Sequence, residues 1–345
     1  MKKVKCAVVG LGAIGPTHVA ALAQIENAEL YAVCDIVADK MQPVAEQYGC
    51  KTYQDYEALL QDPEVDLVHL CVPSGMHADL GVKAAAAGKN VLVEKPIDIT
   101  LEAADRLIAA CQAHGVLLSC ISQHRFDPDI AWAKQEIEKG SFGRIIFGAA
   151  YTKWYRPQSY YDSGDWRGTW ALDGGGALMN QSVHYVDMVQ FLAGEVEEVS
   201  AYTGLLAHER IEVEDMAVAI LKFKSGALGA LEGTTAAYPG FHTRLDIYGT
   251  DGSFIIENDQ MRICKTRAEE GEVGFYGSLA KEEDMQPKKK LTGASSAAVA
   301  ATAHQSQIQD VVNAILEGRK PAITGEDARK PLAVILAVYE SARTG

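Results

Sequence analysis

The chain has 345 residues, 48% hydrophobic and 23% charged, which is too long for one ordinary core and too apolar for a disordered chain, so two domains are the default. Its 32 Lys and Arg against 46 Asp and Glu leave a formal charge of −14, which argues against sequence-independent binding to phosphate backbones or anionic lipid. Seven scattered cysteines (Cys6, Cys34, Cys50, Cys71, Cys111, Cys120, Cys264) never stand as C-x-x-C, which points away from a disulfide framework or a zinc site and towards small hydrophobes in a reducing cytosol. The N-terminal apolar run is broken early by glycines and no apolar stretch reaches about 18 residues, so a cytoplasmic protein with no membrane and no nucleic-acid partner is expected.

Up to residue 122, β-branched runs alternate with Ala-rich helical stretches: VKCAVVG, HVAALAQI, ELYAVCD, ADKMQPVAEQYG, VDLVHLCV, ADLGVKAAAAG, NVLVEKP, TLEAADRLIAACQAHG and VLLSCIS. Strands without polar alternation, separated by helices, predict a doubly wound parallel sheet over residues 1–122. Beyond Gln123 the pattern changes, and residues 123–345 form the second domain. A helix near 130–139 precedes longer strands of period two (GRIIFGAAYTKW, EEVSAYTGLL, EDMAVAILKF, GALGALEGTTAAY, TRLDIYGT, GSFIIEN), which predict a mainly antiparallel sheet. One helix interrupts them, following Gly174, Gly175 and Gly176 and ending near Gly194. Residues 265–300 are polar and irregular and predict a surface loop. The last stretch, about 303–345, reads as two amphipathic helices that return towards the first domain.

Gly10, Gly12 and Gly15 stand as G-x-G-x-x-G directly after the first strand and before a helix, with Ala13 and Ile14 inside the turn. That context is what a dinucleotide pyrophosphate requires: a tight turn, close backbone approach and close packing of helix on strand. Asp35 ends the second strand 20 residues after Gly15, where a carboxylate accepts from ribose hydroxyls and repels a 2′-phosphate. NAD is therefore preferred over NADP. Pro73, Ser74 and His77 follow one strand, and Glu94 and Lys95 end another, at the sheet edge where ligands bind. A lone lysine there is more often a solvated charge, although it could exchange a proton with a substrate hydroxyl. Asn180 and His184 form an i, i+4 pair on the helix after the glycines. Histidine is matched to proton abstraction near neutral pH, yet a single helix histidine is more often structural.

Taken together, VVGLGAIGPTHVAAL, CDIVADK, CVPSGMHADL, VEKPI and DGGGALMNQSVHYVD resemble the Gfo/Idh/MocA oxidoreductases over nearly the whole chain. The resemblance implies an N-terminal Rossmann domain and a C-terminal α/β domain whose open, mainly antiparallel sheet mediates dimers or tetramers. It also implies hydride transfer between a nicotinamide and a sugar or cyclitol carbon. Lys95 resembles the family's catalytic or orienting lysine and His184 its acid/base. Asn180 stands where many members carry Asp, so His184 depends on another partner, and which of Lys95 and His184 is the principal base stays open. Within the family, RPQSYYDSGDWRGTWALDGGGALMNQSVHYVD is most similar to dehydrogenases that oxidise C3 of UDP-N-acetylglucosaminuronic acid.

Independently of that resemblance, Lys153, Trp154, Tyr155 and Arg156 follow a strand, and Tyr160, Tyr161, Trp166, Arg167 and Trp170 lie in the loop before the glycines. Aromatic faces suit sugar C–H surfaces and Arg suits carboxylate or phosphate, so Lys153, Tyr155, Arg156, Tyr161, Arg167 and Asn180 are the substrate candidates. The bland alternative is that the aromatics pack the loop onto the sheet. His124 and Arg125 fit a linker and a substrate contact equally well. Between Arg144 and Trp170 four basic side chains face two acidic ones, a local departure from the acidic chain that suits a small anion. An NAD-dependent sugar dehydrogenase without a metal is expected. Inositol, free-sugar and glycoside dehydrogenases are the alternatives within the class, and a non-catalytic dinucleotide-binding regulator is the alternative outside it.

Overall fold

Six short apolar runs near the N-terminus become strands: β1 (Val4–Val9), β2 (Ala28–Cys34), β3 (Lys51–Tyr53), β4 (Leu67–Leu70), β5 (Asn90–Val93) and β6 (Leu118–Cys120). In the computed structural model, which describes residues 3–270, 277 and 296–345, these pair in parallel in the order β3-β2-β1-β4-β5-β6. Helices α1 (Gly15–Leu22), α2 (Ala38–Tyr48), α3 (Tyr56–Leu60), α4 (His77–Ala86) and α5 (Leu101–His114) connect them. The strands need no polar face because a parallel sheet is covered on both sides. Val8, Leu67, Val68, Leu70 and Leu92 are fully buried, each contributing about 1.5–3 kcal/mol of transfer free energy. Thr100 starts α5 by accepting the Ala103 N–H at 3.2 Å, and Asp55 does the same for α3 through the Glu57 N–H at 3.0 Å.

The second sheet is built from α6 (Pro128–Glu138), β7 (Ile145–Lys153), the short α7 (Gln158–Tyr161), α8 (Val183–Ala193), β8 (Val196–Gly204), β9 (Met216–Phe223), β10 (Leu228–Thr234), β11 (Thr243–Gly249), β12 (Gly252–Glu257) and β13 (Gln260–Thr266). Its strand order is β13-β12-β11-β7-β10-β9-β8, antiparallel throughout except for the β7–β10 pair. α8 packs on β7 and β11. Residues on the opposite side of the sheet remain open: Tyr202, Val218, Ile220 and Leu228 are exposed.

The chain divides into two units, one of Met1–Gln123, Ala171–Gly174 and Ala297–Leu332, the other of His124–Trp170, Gly175–Ser296 and Ala333–Gly345. In the first, Ile308, Val311 and Val312 of α10 (Ser296–Glu317) join the core of Val4, Cys6, Val8 and Leu67. The buried Gln307 amide accepts the Ser122 N–H at 2.9 Å and donates to the Cys120 carbonyl at 2.8 Å, tying α10 to the end of β6. The last helix, α11 (Gly325–Thr344), contributes residues to both units. Of the loop expected over 265–300, Lys265 and Thr266 end β13 and Arg267–Glu270 form a helical turn, α9; most of the remainder lies outside the described residues. No helix among the described residues is long and apolar enough to cross a membrane.

Candidate active site

In the first unit the strand order reverses between β1 and β4, and their carboxyl ends open the crevice where an α/β sheet binds its ligand. Gly10 leaves β1 at φ +90°, and a Cβ there would stand 2.4 Å from the Cys71 carbonyl oxygen that follows β4. A Cβ on Gly15 would stand 2.1 Å from the Gly10 carbonyl oxygen, so the glycine lets α1 start hard against the end of β1. Gly12 has open space where a side chain would be, and Gly12 and Ala13 are exposed at the tip, with Ile14 half-buried behind them. This is the cradle a pyrophosphate needs at a helix N-terminus. Asp35 lies at its side: its carboxylate accepts the Leu11 N–H at 2.7 Å and the Val37 N–H at 2.9 Å. The residues present fit a dinucleotide.

Behind the cradle, Pro73 is half-buried and Ser74 buried. His77 is also buried and has its ring nitrogens 2.8 and 3.0 Å from the carbonyls of Pro96 and Val72. Lys95 is half-buried at the end of β5, whereas the neighbouring Glu94 turns inward. Its Oε1 lies 2.8 Å from His18 Nε2 and 3.8 Å from His304 Nε2, and its Oε2 accepts the Lys95 backbone N–H at 3.1 Å. Burial opposes a charge on Glu94, but the hydrogen bonds and charges of His18 and His304 outweigh it and hold the carboxyl below its usual range. His69 extends the cluster through a 3.0 Å contact with His18, and burial pushes its imidazole well down, so it is neutral. His18, Glu94 and His304 each offer an atom of a type that can ligate a metal, within 4.8 Å of one another, yet Glu94 and His18 already close on each other as a hydrogen-bonded pair.

In the second unit, Ala177–Ser182 wind as a π-helix before α8 begins, so Asn180 and His184 straddle a junction rather than occupying one regular helical face. The buried Glu214 carboxylate holds that start: it accepts the Gly176 and Leu178 N–H groups, both at 2.9 Å, and the Tyr339 hydroxyl at 2.9 Å. Burial raises Glu214 to about 7 despite those donors. Asn180 is half-buried and accepts the Gln181 amide at 2.9 Å. The His184 ring meets the His124 ring edge-on, with centroids 4.9 Å apart.

Around Gln181 the expected aromatic and basic side chains gather. Gln181 donates to the Tyr160 hydroxyl at 2.8 Å and accepts from Arg156 at 2.8 Å, and Arg167 donates to the same hydroxyl at 2.7 Å. The Arg156 guanidinium lies over Trp154 and Tyr160, and that of Arg167 over Tyr160 and Trp166. Tyr161, by contrast, is buried and hydrogen-bonded to Thr235 at 2.8 Å, so it packs the loop onto the sheet. Lys153 lies 3.4 Å from Glu232, and exposed Tyr155 packs edge-on against Tyr238. Gln181 and the Tyr160 hydroxyl, both outside the expected substrate set, are the hub of the cluster; their only sequence signal is adjacency to Asn180 and to the Arg-rich loop.

Residues 4–122 match the oxidoreductase family GFO/IDH/MocA, NAD-binding Rossmann fold, and residues 130–255 match the family's C-terminal domain. The WlbA dehydrogenase from Bordetella pertussis, solved in complex with NADH and UDP-GlcNAcA, is 32% identical with a TM-score of 0.86, covering 100% of this chain and 98% of that one. The WlbA enzyme of Chromobacterium violaceum, solved with the same two ligands, is 31% identical at a TM-score of 0.86, covering 99% and 94%. Myo-inositol 2-dehydrogenase of Thermotoga maritima is 28% identical over 344 residues, 97% of this chain and 95% of its own length.

Proposed function

The chain belongs to the Gfo/Idh/MocA family of NAD-dependent oxidoreductases, and from that premise we propose that it oxidises the C3 hydroxyl of a nucleotide-linked uronic acid such as UDP-N-acetylglucosaminuronic acid. The observation that carries this choice of substrate is the Arg156–Gln181–Tyr160–Arg167 cluster beside Asn180: two guanidiniums backed by aromatic rings suit an anionic sugar. The likeness to two dehydrogenases solved with UDP-GlcNAcA supports it.

Gly10, Gly12, Ala13, Ile14 and Gly15 hold the dinucleotide pyrophosphate, Asp35 the adenosine ribose, and Pro73 and Ser74 line its path. His77 and Glu94 act from behind, as buried supports of the loop and of Lys95. When bound, NAD supplies the hydride acceptor. His184 takes the hydroxyl proton as the C–H bond breaks and Lys95 hydrogen-bonds the same substrate oxygen, while Asn180, Arg156 and Arg167 orient the sugar, with Lys153 and Tyr155 at its edge. Tyr161 keeps the loop in shape. Incubating the purified protein with NAD and UDP-N-acetylglucosaminuronic acid tests the reading: NADH and a 3-keto product are expected. Turnover of inositol but not of the nucleotide sugar would replace it with the inositol reading that the relative from Thermotoga maritima favours.

The open sheet face supports a further element of the proposal, a homo-oligomer. Tyr202, Ile220, Leu228 and Val218 are 79%, 66%, 56% and 41% exposed, and a second copy of the same face would cover them. The seven cysteines, six of them buried, fit a reducing cytoplasm.

A further inference from the structure

His124 has no role in the reaction as proposed, yet the second unit builds a specific environment around it. It lies in the short turn Gln123–Phe126, with its side chain 14% exposed. Its Nδ1 is 2.7 Å from Asp127 Oδ2 and 3.5 Å from Asp259 Oδ1. Asp127 is 1% exposed, and its other oxygen, Oδ1, is buried without a hydrogen-bond partner, so the His124 contact is what compensates this carboxylate. Asp259 is delivered by the two-residue Asn258–Asp259 turn of the β12–β13 hairpin, where both residues have positive φ, 49° and 59°. The Tyr185 hydroxyl donates to Asp259 at 2.6 Å. Asp187, the remaining carboxylate of the group, is neutralised by Arg125, whose Nε donates to it at 2.8 Å. Burial opposes a charged imidazole at position 124, but the hydrogen bond to Asp127 and the charges of Asp259, Asp127 and Asp187 outweigh it and raise His124 above its ordinary value. This ring and that of His184 meet edge-to-face at a centroid distance of 4.9 Å and an interplanar angle of 70°.

We propose that His124 is a positioning residue for His184: anchored between Asp127 and Asp259, its imidazolium holds the His184 ring edge-to-face and disfavours a second positive charge there, so that His184 stays in the unprotonated form that can take a proton. Like charges about 5 Å apart oppose each other enough to move a proton affinity by about one pKa unit or more. Removing the His124 charge takes a positive neighbour from His184 while Asp259 still faces the group, so the proton affinity of His184 rises.

The proposal rests on His184 being the proton acceptor, and the test separates the two. Histidine ring signals of the full-length protein, labelled with 15N-histidine, are titrated by NMR and assigned by their loss in His124→Gln and His184→Asn. Gln at 124 keeps an N–H for Asp127 and loses only the charge. His124 is expected to titrate at higher pH than His184, and in His124→Gln the His184 midpoint rises by about one unit, a tenfold gain in proton affinity. The acid limb of kcat/KM with NAD and UDP-N-acetylglucosaminuronic acid rises with it, while the KM for NAD holds. A His184 midpoint that does not move in folded His124→Gln overturns the proposal. In Asp127→Asn the His124 midpoint falls; if it stays in place, the proposal fails even should His124→Gln not fold. Full turnover by His184→Asn would instead sink the proton-acceptor role while leaving the titration to stand on its own.

Discussion

Asp35 spends its carboxylate on the Leu11 and Val37 N–H groups and so shapes the glycine turn. Asp35→Ala is expected to weaken NAD binding about tenfold or more and to relax discrimination against NADP, in line with loss of charged hydrogen bonds; binding titrations with both cofactors check it, and an unchanged NAD/NADP ratio would remove Asp35 from specificity. Lys95→Ala and His184→Asn are each expected to lower kcat by about 10²-fold or more, the usual cost of losing a general acid or base. A near-normal kcat in either variant takes that residue out of the chemistry. Glu214 gives a pH dependence whose sign is definite. Its folded value of about 7 exceeds the usual carboxylate value, so the stability it contributes is full below the unfolded value and is lost as pH rises through about 7, by about 3 kcal/mol in all. The Tm of Glu214→Gln relative to the parent should therefore improve from pH 5 to pH 8; a constant difference would mean that Glu214 is ionised throughout.

Elements were legible where their cause is local. The apolar runs around Val8, Leu67 and Leu92 and the glycines after β1 announce strand, turn and helix, and those elements are present. The three-residue β3 and five-residue α3 carry too few residues for a period to show. The start of α8 escaped for a different reason: nothing in ALMNQS distinguishes a π turn from an α turn, because the donors at that end are taken by Glu214, from a segment more than 30 residues further along the chain. Gly15→Ala tests the element level directly. Its Cβ, 2.1 Å from the Gly10 oxygen, must push α1 away from β1, so loss of NAD binding with a Tm lowered by several degrees is expected in thermal-shift assays with and without NAD. An unaltered Kd for NAD would show that the close packing does not matter to the site.

At the scale of the whole molecule, the acidic balance of −14 argued against nucleic acid but concealed a cluster in which Arg156 and Arg167 converge on Tyr160. The open face of the second sheet makes its own prediction. Ile220→Lys places a charge on the centre strand of the exposed apolar group, and the protein should shift from oligomer to monomer in sedimentation with its NAD affinity intact. A parent protein that sediments as a monomer would dispose of the oligomer.

The sequence by itself determined the class of each sheet and placed the glycine turn and Asp35, because strand burial follows the apolar period and the turn's glycines stand close together in the chain; the Cys71 carbonyl that closes on Gly10 is brought there by folding. Only the tertiary structure decided what surrounds Lys95 and His184. Glu94 faces His18 and His304, and His124 faces Asp127, Asp259 and His184, through contacts made by segments 60 to 210 residues apart in their longer reaches. No local pattern encodes such contacts, since a buried imidazole or carboxylate takes its charge from whichever partners folding brings against it.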